Sequence, residues 1–227
     1  MNKSIESVDV LIIGAGLAGI CGACQLRRYC PNHSFAIFES RATSGGTWDL
    51  FRYPGFRSDS DMYTYSYGFK PWKDKSTIAD GHKILSYIRE AAAEYDVEQH
   101  IRYQHKVVAA NWSSADKRWL VTAERGGSGD SGGTGEQVTI SCKFMFNCSG
   151  YYDYEQGYIP EFAGIDNFNG QVLHPQHWPQ NLDYHDKRVV VIGSGATAVT
   201  LVPAMSKDTA SLVMLQRTPT YIASIPA

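Results

Sequence analysis

The stretch Val8-Asp9-Val10-Leu11-Ile12-Ile13-Gly14-Ala15-Gly16-Leu17-Ala18-Gly19 reads as an apolar strand running into a tight glycine turn, and its reading decides the fold. The run from Val8 to Ile13 is of β type and suits a buried strand. The glycines then let the chain turn and open a helix that ends near Cys30-Pro31, with a second strand, Ser34 to Phe38, behind it. Strand, glycine turn, helix, strand is the context in which G-x-G-x-x-G marks a dinucleotide site. Glycine lets the backbone approach a pyrophosphate, whose charge sits at the helix N-terminus. Gly14, Gly16, Ala18 and Gly19 are the candidate contacts. Glu39 follows 25 residues after Gly14, at the end of the second strand, where a carboxylate binds ribose hydroxyls. That favours the adenosine half of FAD or NAD over a solvated strand-end charge.

The pattern recurs. A strand over Arg188 to Ile192 leads into Gly193-Ser194-Gly195-Ala196-Thr197-Ala198, then Val199 and a helix to about Met205, then a strand over Leu212 to Leu215. Alanine holds the third glycine position, and the second strand ends in Gln216-Arg217-Thr218 with no acid. A guanidinium and a hydroxyl there suit the 2'-phosphate of NADPH, with a plain surface arginine an equal alternative. One acidic and one basic site suggest two different dinucleotides, and a flavin reduced by NADPH follows. The fold class is α/β, with two Rossmann-like units. The second is expected to be truncated, because a doubly wound sheet usually continues through further βα units. The expected domains are 1-150 for FAD, 151-186 as a linker, and 187-227 for the first half of an NADPH domain.

Between the loops, Ile78 to Tyr95 reads as a helix with Ile84, Leu85, Ile88, Ala91 and Ala92 at helical spacing. From Ile101 to Ile140 the pattern turns to short strands, broken by a glycine-rich hairpin tip over 125-135 that also suits an introduced linker. Phe144 to Cys148 is a separate strand expected to cross back to the nucleotide sheet.

Composition excludes several classes. With 43% hydrophobic and 19% charged residues, the 227-residue chain is ordinary for a soluble globular protein. A net charge of -2 without a lysine or arginine run argues against nucleic acid. The apolar stretch from Val8 to Cys24 is broken by four glycines and lacks a basic flank, so neither a signal peptide nor a transmembrane segment is expected. Five cysteines without a secretory signal point to a reducing cytoplasm. Cys21 and Cys24 lie in the helix opened by the first loop, where small buried residues are a better reading than a redox pair. No metal site is expected.

One run remains. Phe168-x-Gly170-x-x-x-His174-x-x-x-Trp178-Pro179 lies between the two loops. On residue type alone it could be a linker in which the aromatics pack and His174 caps a turn. Its spacing and position match the signature of the Baeyer-Villiger monooxygenases, which the chain resembles from about Val8 to its last residue. Further matching stretches are Gly45-Gly46-Thr47-Trp48-Asp49-Leu50-Phe51-Arg52-Tyr53-Pro54-Gly55, Ser58 to Tyr63, and Cys148-Ser149-Gly150-Tyr151-Tyr152.

The resemblance implies FAD and NADPH as cofactors, dioxygen as co-substrate, and a small-molecule ketone or sulfide as substrate. An oxygen atom would be inserted beside the carbonyl to give an ester or lactone. It implies that Thr47, Trp48, Asp49 and Leu50 line FAD and that Val107 contacts the adenine side. Arg57 and Ser58 would face the nicotinamide cofactor. Asp59 would lie beside the isoalloxazine, where the family's aspartate holds an arginine that has no match here. By residue type, Asp59 could instead cap a short helix opened by Ser58-Asp59-Ser60. His174 is assigned to coupling the domains around the cofactors, with acid-base catalysis as a role to test. Three alternatives stand beside this reading: a nitrogen- or sulfur-oxygenating flavin monooxygenase, a flavin disulfide reductase, and a truncated flavin-binding fragment without turnover. The last carries an expected tendency to self-associate.

Overall fold

The computed structural model describes residues 5–126 and 135–223. The expected glycine-rich tip over 125-135 lies largely outside the described residues. The chain divides into two compact units, Met1–Asp49 with Leu85–Tyr151, and Leu50–Ile84 with Tyr152–Ala227. Residues 50–84 therefore group with the later part of the chain, whereas the linear division at 150 and 186 assigns them to the first domain.

The first unit is built on a six-stranded sheet. Its elements are β1 (Glu6–Ile13), α1 (Leu17–Tyr29), β2 (Phe35–Phe38), the short α2 (Thr47–Leu50), which reaches one residue into the second unit, and later the strands β3 (Ile101–Arg102), β4 (His105–Ser113), β5 (Arg118–Arg125) and β6 (Glu136–Asn147). The order is β3-β2-β1-β6-β5-β4, parallel from β3 to β6 and antiparallel from β6 to β4. Leu11 and Ile12, which point to opposite faces, are both fully buried, as a central parallel strand requires. A buried cluster on the sheet joins Val8, Leu11, Phe38, Val121, Ile140 and Cys142.

The strand expected over Phe144 to Cys148 is not separate. A single strand runs from Glu136 to Asn147, pairing antiparallel with β5 and parallel with β1 over Glu6↔Ile140 to Ile13↔Asn147. Lys143 is charged and outward-facing, which breaks the apolar pattern without breaking the ladder, and Asp9 across the strand pair meets its ammonium at 2.8 Å.

Helix α1 buries Gly19, Ile20, Ala23 and Cys24, a single stripe at helical spacing, and stops where Cys30-Pro31 follows. Gly22 is small for a reason: a β-carbon there would meet the Phe146 ring at 2.6 Å. The long helix α4 over Gly81–Glu94 falls inside the expected span, and its Ile84, Tyr87, Ile88, Ala91 and Ala92 are buried. Its C-terminal part joins α1 through Cys24 Sγ to the Ala91 carbonyl and Arg27 Nε to the Tyr95 carbonyl. Burying Ile20 and Ile88 contributes roughly 1.5–3 kcal/mol each.

The second unit holds the short α3 (Met62–Tyr65), β7 (Arg188–Ile192), α5 (Ala196–Met205) and β8 (Ser211–Leu215), with β7 and β8 parallel in register from Arg188↔Ser211 to Ile192↔Leu215. Its core is Tyr53, Leu201 and Met205, enclosed by Phe51, Phe56, Trp178, Tyr184, Val189, Val191 and Leu212. The turn at Pro54-Gly55 lies directly on α5. Gly55 has φ +76°, and a β-carbon there would meet the Thr200 carbonyl oxygen at 2.5 Å. The opposite face of the strand pair, Val190, Ile192, Val213 and Leu215, is exposed. Among the described residues, no helix is long and apolar enough to cross a membrane.

Candidate functional site

Two glycine loops carry the same backbone. Gly14 and Gly193 have φ +99° and +126°, values that L side chains rarely adopt. Each donates its N–H to the end of the second strand of its unit: Gly14 to the Phe38 carbonyl at 2.7 Å, Gly193 to the Leu215 carbonyl at 2.8 Å. Gly16 and Gly195 are the N-caps of α1 and α5, both extended (φ −80° and −77°), and neither helix start has a side-chain cap. The positive end of each helix dipole thus lies at a glycine loop, and neither N-cap residue makes a side-chain cap bond, an arrangement suited to an anion.

The loops differ at the third position. A β-carbon on Gly19 would collide with the Gly14 carbonyl oxygen, so the first turn closes only with glycine there. Ala198 occupies the matching place in the second loop and is buried. Ala18 is exposed at the first turn of α1, Thr197 and Val199 are half-buried, and Ala196 is exposed. Gly14 is also pressed against the chain behind it, since a β-carbon would meet the Cys148 carbonyl oxygen at 2.5 Å.

Glu39 is not a solvated charge. It is 4% exposed, its Oε2 accepts from the Ala15 N–H at 2.7 Å, and its Oε1 accepts from the Arg41 N–H at 2.9 Å. The carboxylate therefore shapes the glycine loop itself. At the corresponding end of β8, Arg217 and Thr218 are exposed, and the Thr218 carbonyl accepts from the Ser194 hydroxyl at 3.3 Å, tying the strand end to the second loop.

The segment after β2 lies on the first loop. Gly45 donates its N–H to the Ala15 carbonyl at 2.9 Å, and the Gly46 Cα sits 3.6 Å from where a β-carbon on Gly16 would stand. Thr47, Trp48 and Leu50 are half-buried. Asp49 is 4% exposed, with its carboxylate engaged by Arg41 at 2.9 Å, Thr43 at 2.6 Å and Arg89 at 2.8 Å. Sequence reasoning missed both arginines; the available signal was a cation, Arg89, set between the buried Ile88 and Ala91 of a helix. Val107 is half-buried on β4 against the sheet core, at a register shift of the β4–β5 ladder.

In the second unit the remaining candidates are placed one by one. Ser58 is buried, donating its hydroxyl to the Ser60 carbonyl at 2.9 Å and accepting from the Ala79 N–H at 3.2 Å. Arg57 is exposed and forms a β-bridge with Asp80. Asp59 is exposed and caps no helix. The cap falls to Asp61, whose carboxylate accepts from the Thr64 N–H at 3.0 Å and from its hydroxyl at 2.6 Å; those bonds lower its pKa.

The run from Phe168 to Pro179 has its own logic. The Phe168 ring lies over Gly170, where a β-carbon would meet it at 2.5 Å. The His174 ring lies on Gly157, and its Nδ1 accepts from the Gln176 N–H at 3.2 Å, capping the turn Pro175–His177. Burial, and secondarily the nearby His177, push the His174 pKa below its ordinary value. Buried Gln176 donates to the Asp153 carbonyl at 2.6 Å, and Trp178 packs on the core around Tyr53 with its ring edge-on to Tyr184. Capping by His174 and packing of Trp178 are thus observed.

Cys21 and Cys24 sit in α1. Burial pushes the Cys24 thiol up to about 12 and raises that of Cys21, so neither is a thiolate near neutral pH.

The comparisons fit this geometry. The chain is 53% identical over 222 residues to the FAD-containing monooxygenase EthA of Mycobacterium tuberculosis, an alignment covering 97% of this chain and 44% of that protein. It is similar to the structure of an oxidized steroid monooxygenase bound to NADP, with TM-score 0.80 and 30% identity over 97% of this chain and 40% of the other. A cyclohexanone-bound cyclohexanone monooxygenase gives TM-score 0.78 and 26% identity over 96% and 40%. The chain spans less than half the length of each. Residues 9–225 match the family described as flavin-binding monooxygenase-like, and the chain belongs to that family.

Proposed function

We propose that the chain supplies the FAD-binding unit and the opening βαβ of the NADPH-binding unit of an NADPH-dependent flavin monooxygenase of the Baeyer-Villiger type. The observation that carries it is the pair of loops with one backbone and opposite strand-end chemistry, Glu39 in one and Arg217 in the other. An acid beside the first loop suits a ribose diol; a cation beside the second suits a 2'-phosphate. The similarity to an FAD-containing monooxygenase and to NADP- and cyclohexanone-bound monooxygenases supports the same assignment.

Residues present fit an FAD at the first loop. Gly14 and Gly16 clear the backbone for a pyrophosphate, the α1 N-terminus offsets its charge, and Glu39 stands at the ribose end. Thr47, Trp48, Asp49 and Leu50 would flank the flavin, with Asp49 acting through the arginines that hold it, and Val107 would lie to the adenine side. At the second loop, Gly193, Ser194, Gly195, Ala196, Thr197, Ala198 and Val199 would cradle the NADPH pyrophosphate, with Arg217 and Thr218 on the 2'-phosphate. When bound, the flavin supplies hydride acceptance and oxygen activation, which no side chain provides. The protein's part is to bind, orient and exclude water. In that scheme Arg57 and Ser58 face the nicotinamide, Asp59 stands beside the flavin ring, and His174 couples the domains, with acid-base catalysis as a role to test.

The substrate class is a small ketone converted to an ester or lactone, with sulfides or thioamides as further acceptors of oxygen, dioxygen as co-substrate and the cytoplasm as compartment. The test combines the protein with FAD, NADPH and cyclohexanone and follows NADPH consumption, peroxide release and ester formation together. Flavin retention with NADPH oxidation supports the cofactor assignment. A protein that retains no flavin overturns it, and oxidation of sulfides without any lactone favours the heteroatom-oxygenating branch.

A further inference from the structure

We propose that Arg89, together with Arg41, is a positioning residue for the flavin: the two guanidiniums grip Asp49 and so hold the Thr43–Asp49 segment over the Gly14–Gly19 loop. The inference rests on the flavin reading and adds to it the residues that pre-form the site.

The geometry is that of a clamp. One carboxylate oxygen of Asp49 accepts from Arg41 Nη2 at 2.9 Å and the Thr43 hydroxyl at 2.6 Å, and the other accepts from Arg89 Nη2 at 2.8 Å. Each arginine also reaches the backbone of the segment. Arg41 Nη1 donates to the Gly46 carbonyl at 3.3 Å, and Arg89 Nη2 donates to the Ser44 carbonyl at 3.1 Å. A buried carboxylate is tolerated when it is paired and hydrogen-bonded, and breaking such a set exposes an uncompensated charge.

What the clamp holds is the segment that closes the first loop. Gly45 and Gly46 adopt φ +117° and +56°, and Gly45 bonds to Ala15, whose own N–H goes to Glu39. From α4, Arg89 holds the Ser44 carbonyl, the backbone passes covalently to Gly45, and hydrogen bonds lead on from Gly45 to Ala15 and from Ala15 to Glu39. Asp49 and Arg89 are 40 residues apart, so helix α4 sets the position of a loop it does not belong to. The consequence is that FAD dissociates faster when the clamp is opened, because the segment over the pyrophosphate loses its fixed position.

Arg89 is the residue to change. Its side chain is 42% exposed, against 4% for Asp49, so Arg89→Met removes one grip while Arg41 and Thr43 still compensate the carboxylate, whereas changing Asp49 removes the acceptor that both arginines share. The 227-residue protein is titrated with FAD by flavin fluorescence, and dissociation is timed after mixing with excess apo-acceptor. Arg89→Met is expected to raise the FAD Kd about tenfold, chiefly through the dissociation rate, with weaker visible circular dichroism of the bound flavin. Arg89→Lys, which restores a charge, should return the Kd to within about threefold of wild type. The unfolding midpoint of the flavin-free protein should be nearly the same for Met and Lys, separating positioning from general stability. Wild-type Kd and dissociation rate in Arg89→Met, or a Lys variant as weak as Met, overturns the inference and leaves the flavin reading standing. If wild type itself binds no FAD, or Gly14→Val binds it as well as wild type, the flavin reading falls and this inference with it.

Discussion

Replacing Glu39 by alanine removes a carboxylate that is 4% exposed and accepts two backbone N–H bonds, from Ala15 at 2.7 Å and from Arg41 at 2.9 Å. Both donors would then be left at a buried loop without their acceptor. A hydrogen bond to a charged group is worth about 1.5–3 kcal/mol, and an abandoned buried donor costs a similar amount. Taking about 1.5–3 kcal/mol as the loss, and about 2–4 °C per kcal/mol for a chain of this size, the flavin-free unfolding midpoint should fall by roughly 3–12 °C. If the same carboxylate also takes the ribose, the FAD Kd should rise a further tenfold to hundredfold or so. Differential scanning fluorimetry without flavin reads the first effect, and a fluorescence titration with FAD reads the second. Glu39→Gln separates them. One amide oxygen can keep the Ala15 bond, while the amide nitrogen presents a donor to the Arg41 N–H. A variant whose midpoint drops while its FAD Kd stays at the wild-type value would refute the ribose role and leave Glu39 a loop brace alone.

The remaining expectations are shorter. Arg217→Ala should weaken NADP⁺ binding by about 1.5–3 kcal/mol and leave NAD⁺ binding unchanged, measured by calorimetry; equal losses for both would remove Arg217 from the 2'-phosphate. Gly19→Ala should open the first turn and lower the unfolding midpoint and FAD retention together, whereas Ala198→Gly in the second loop should cost only about 1 kcal/mol in helix propensity. Cys24, with its thiol pushed up to about 12 by burial, should resist thiol reagents at pH 8 until the protein unfolds. A Cys21–Cys24 disulfide formed under mild oxidant would revive the disulfide-reductase alternative. His174 has its folded pKa below its unfolded value, so the cap it provides is fully present above the unfolded pKa and is lost as pH falls through the folded one. Protection of the Gln176 amide in hydrogen exchange should therefore decline from pH 7 towards pH 5 relative to neighbouring amides, and His174→Asn should abolish that dependence while keeping the cap.

Much of the fold could be read because strand, glycine turn and helix each leave a local mark. Val10 to Ile13 and Val189 to Ile192 are continuous apolar runs, and the glycines after them sit where the backbone takes φ +99° and +126°. The β6 strand was split because Lys143 and the polar run before it interrupt the apolar pattern, although ladder hydrogen bonds do not depend on side-chain type. By residue type Ser58, Asp59, Ser60 and Asp61 can all cap a helix, so the sequence leaves the cap at Asp59 open as an alternative; only the backbone decides that Asp61 caps, with Ser58 turned inward to Ala79. Long-range pairings leave the weakest trace of all. Nothing in the spacing of Arg89 and Asp49 announces that they meet, since the contact is made by the fold rather than by any local period.

That difference bears on which residues of the family signature act on a cofactor and which build the place where it can act. Glu39 and Asp49 both read as ligand contacts in sequence, and both also hold backbone: Glu39 the Ala15 N–H, Asp49 two arginines that in turn hold the Ser44 and Gly46 carbonyls. His174 and Trp178 likewise cap a turn and fill a core. An oxygenating flavin site must exclude water and keep its charged parts in fixed positions, and such precision comes from rigid support around the reacting groups more than from the number of contacts to them. A signature that joins glycine turns, a buried acid and a capped linker therefore includes residues that fix the site in place. Variants of its supporting members should alter cofactor retention and the balance of product against peroxide before they alter the rate of hydride transfer.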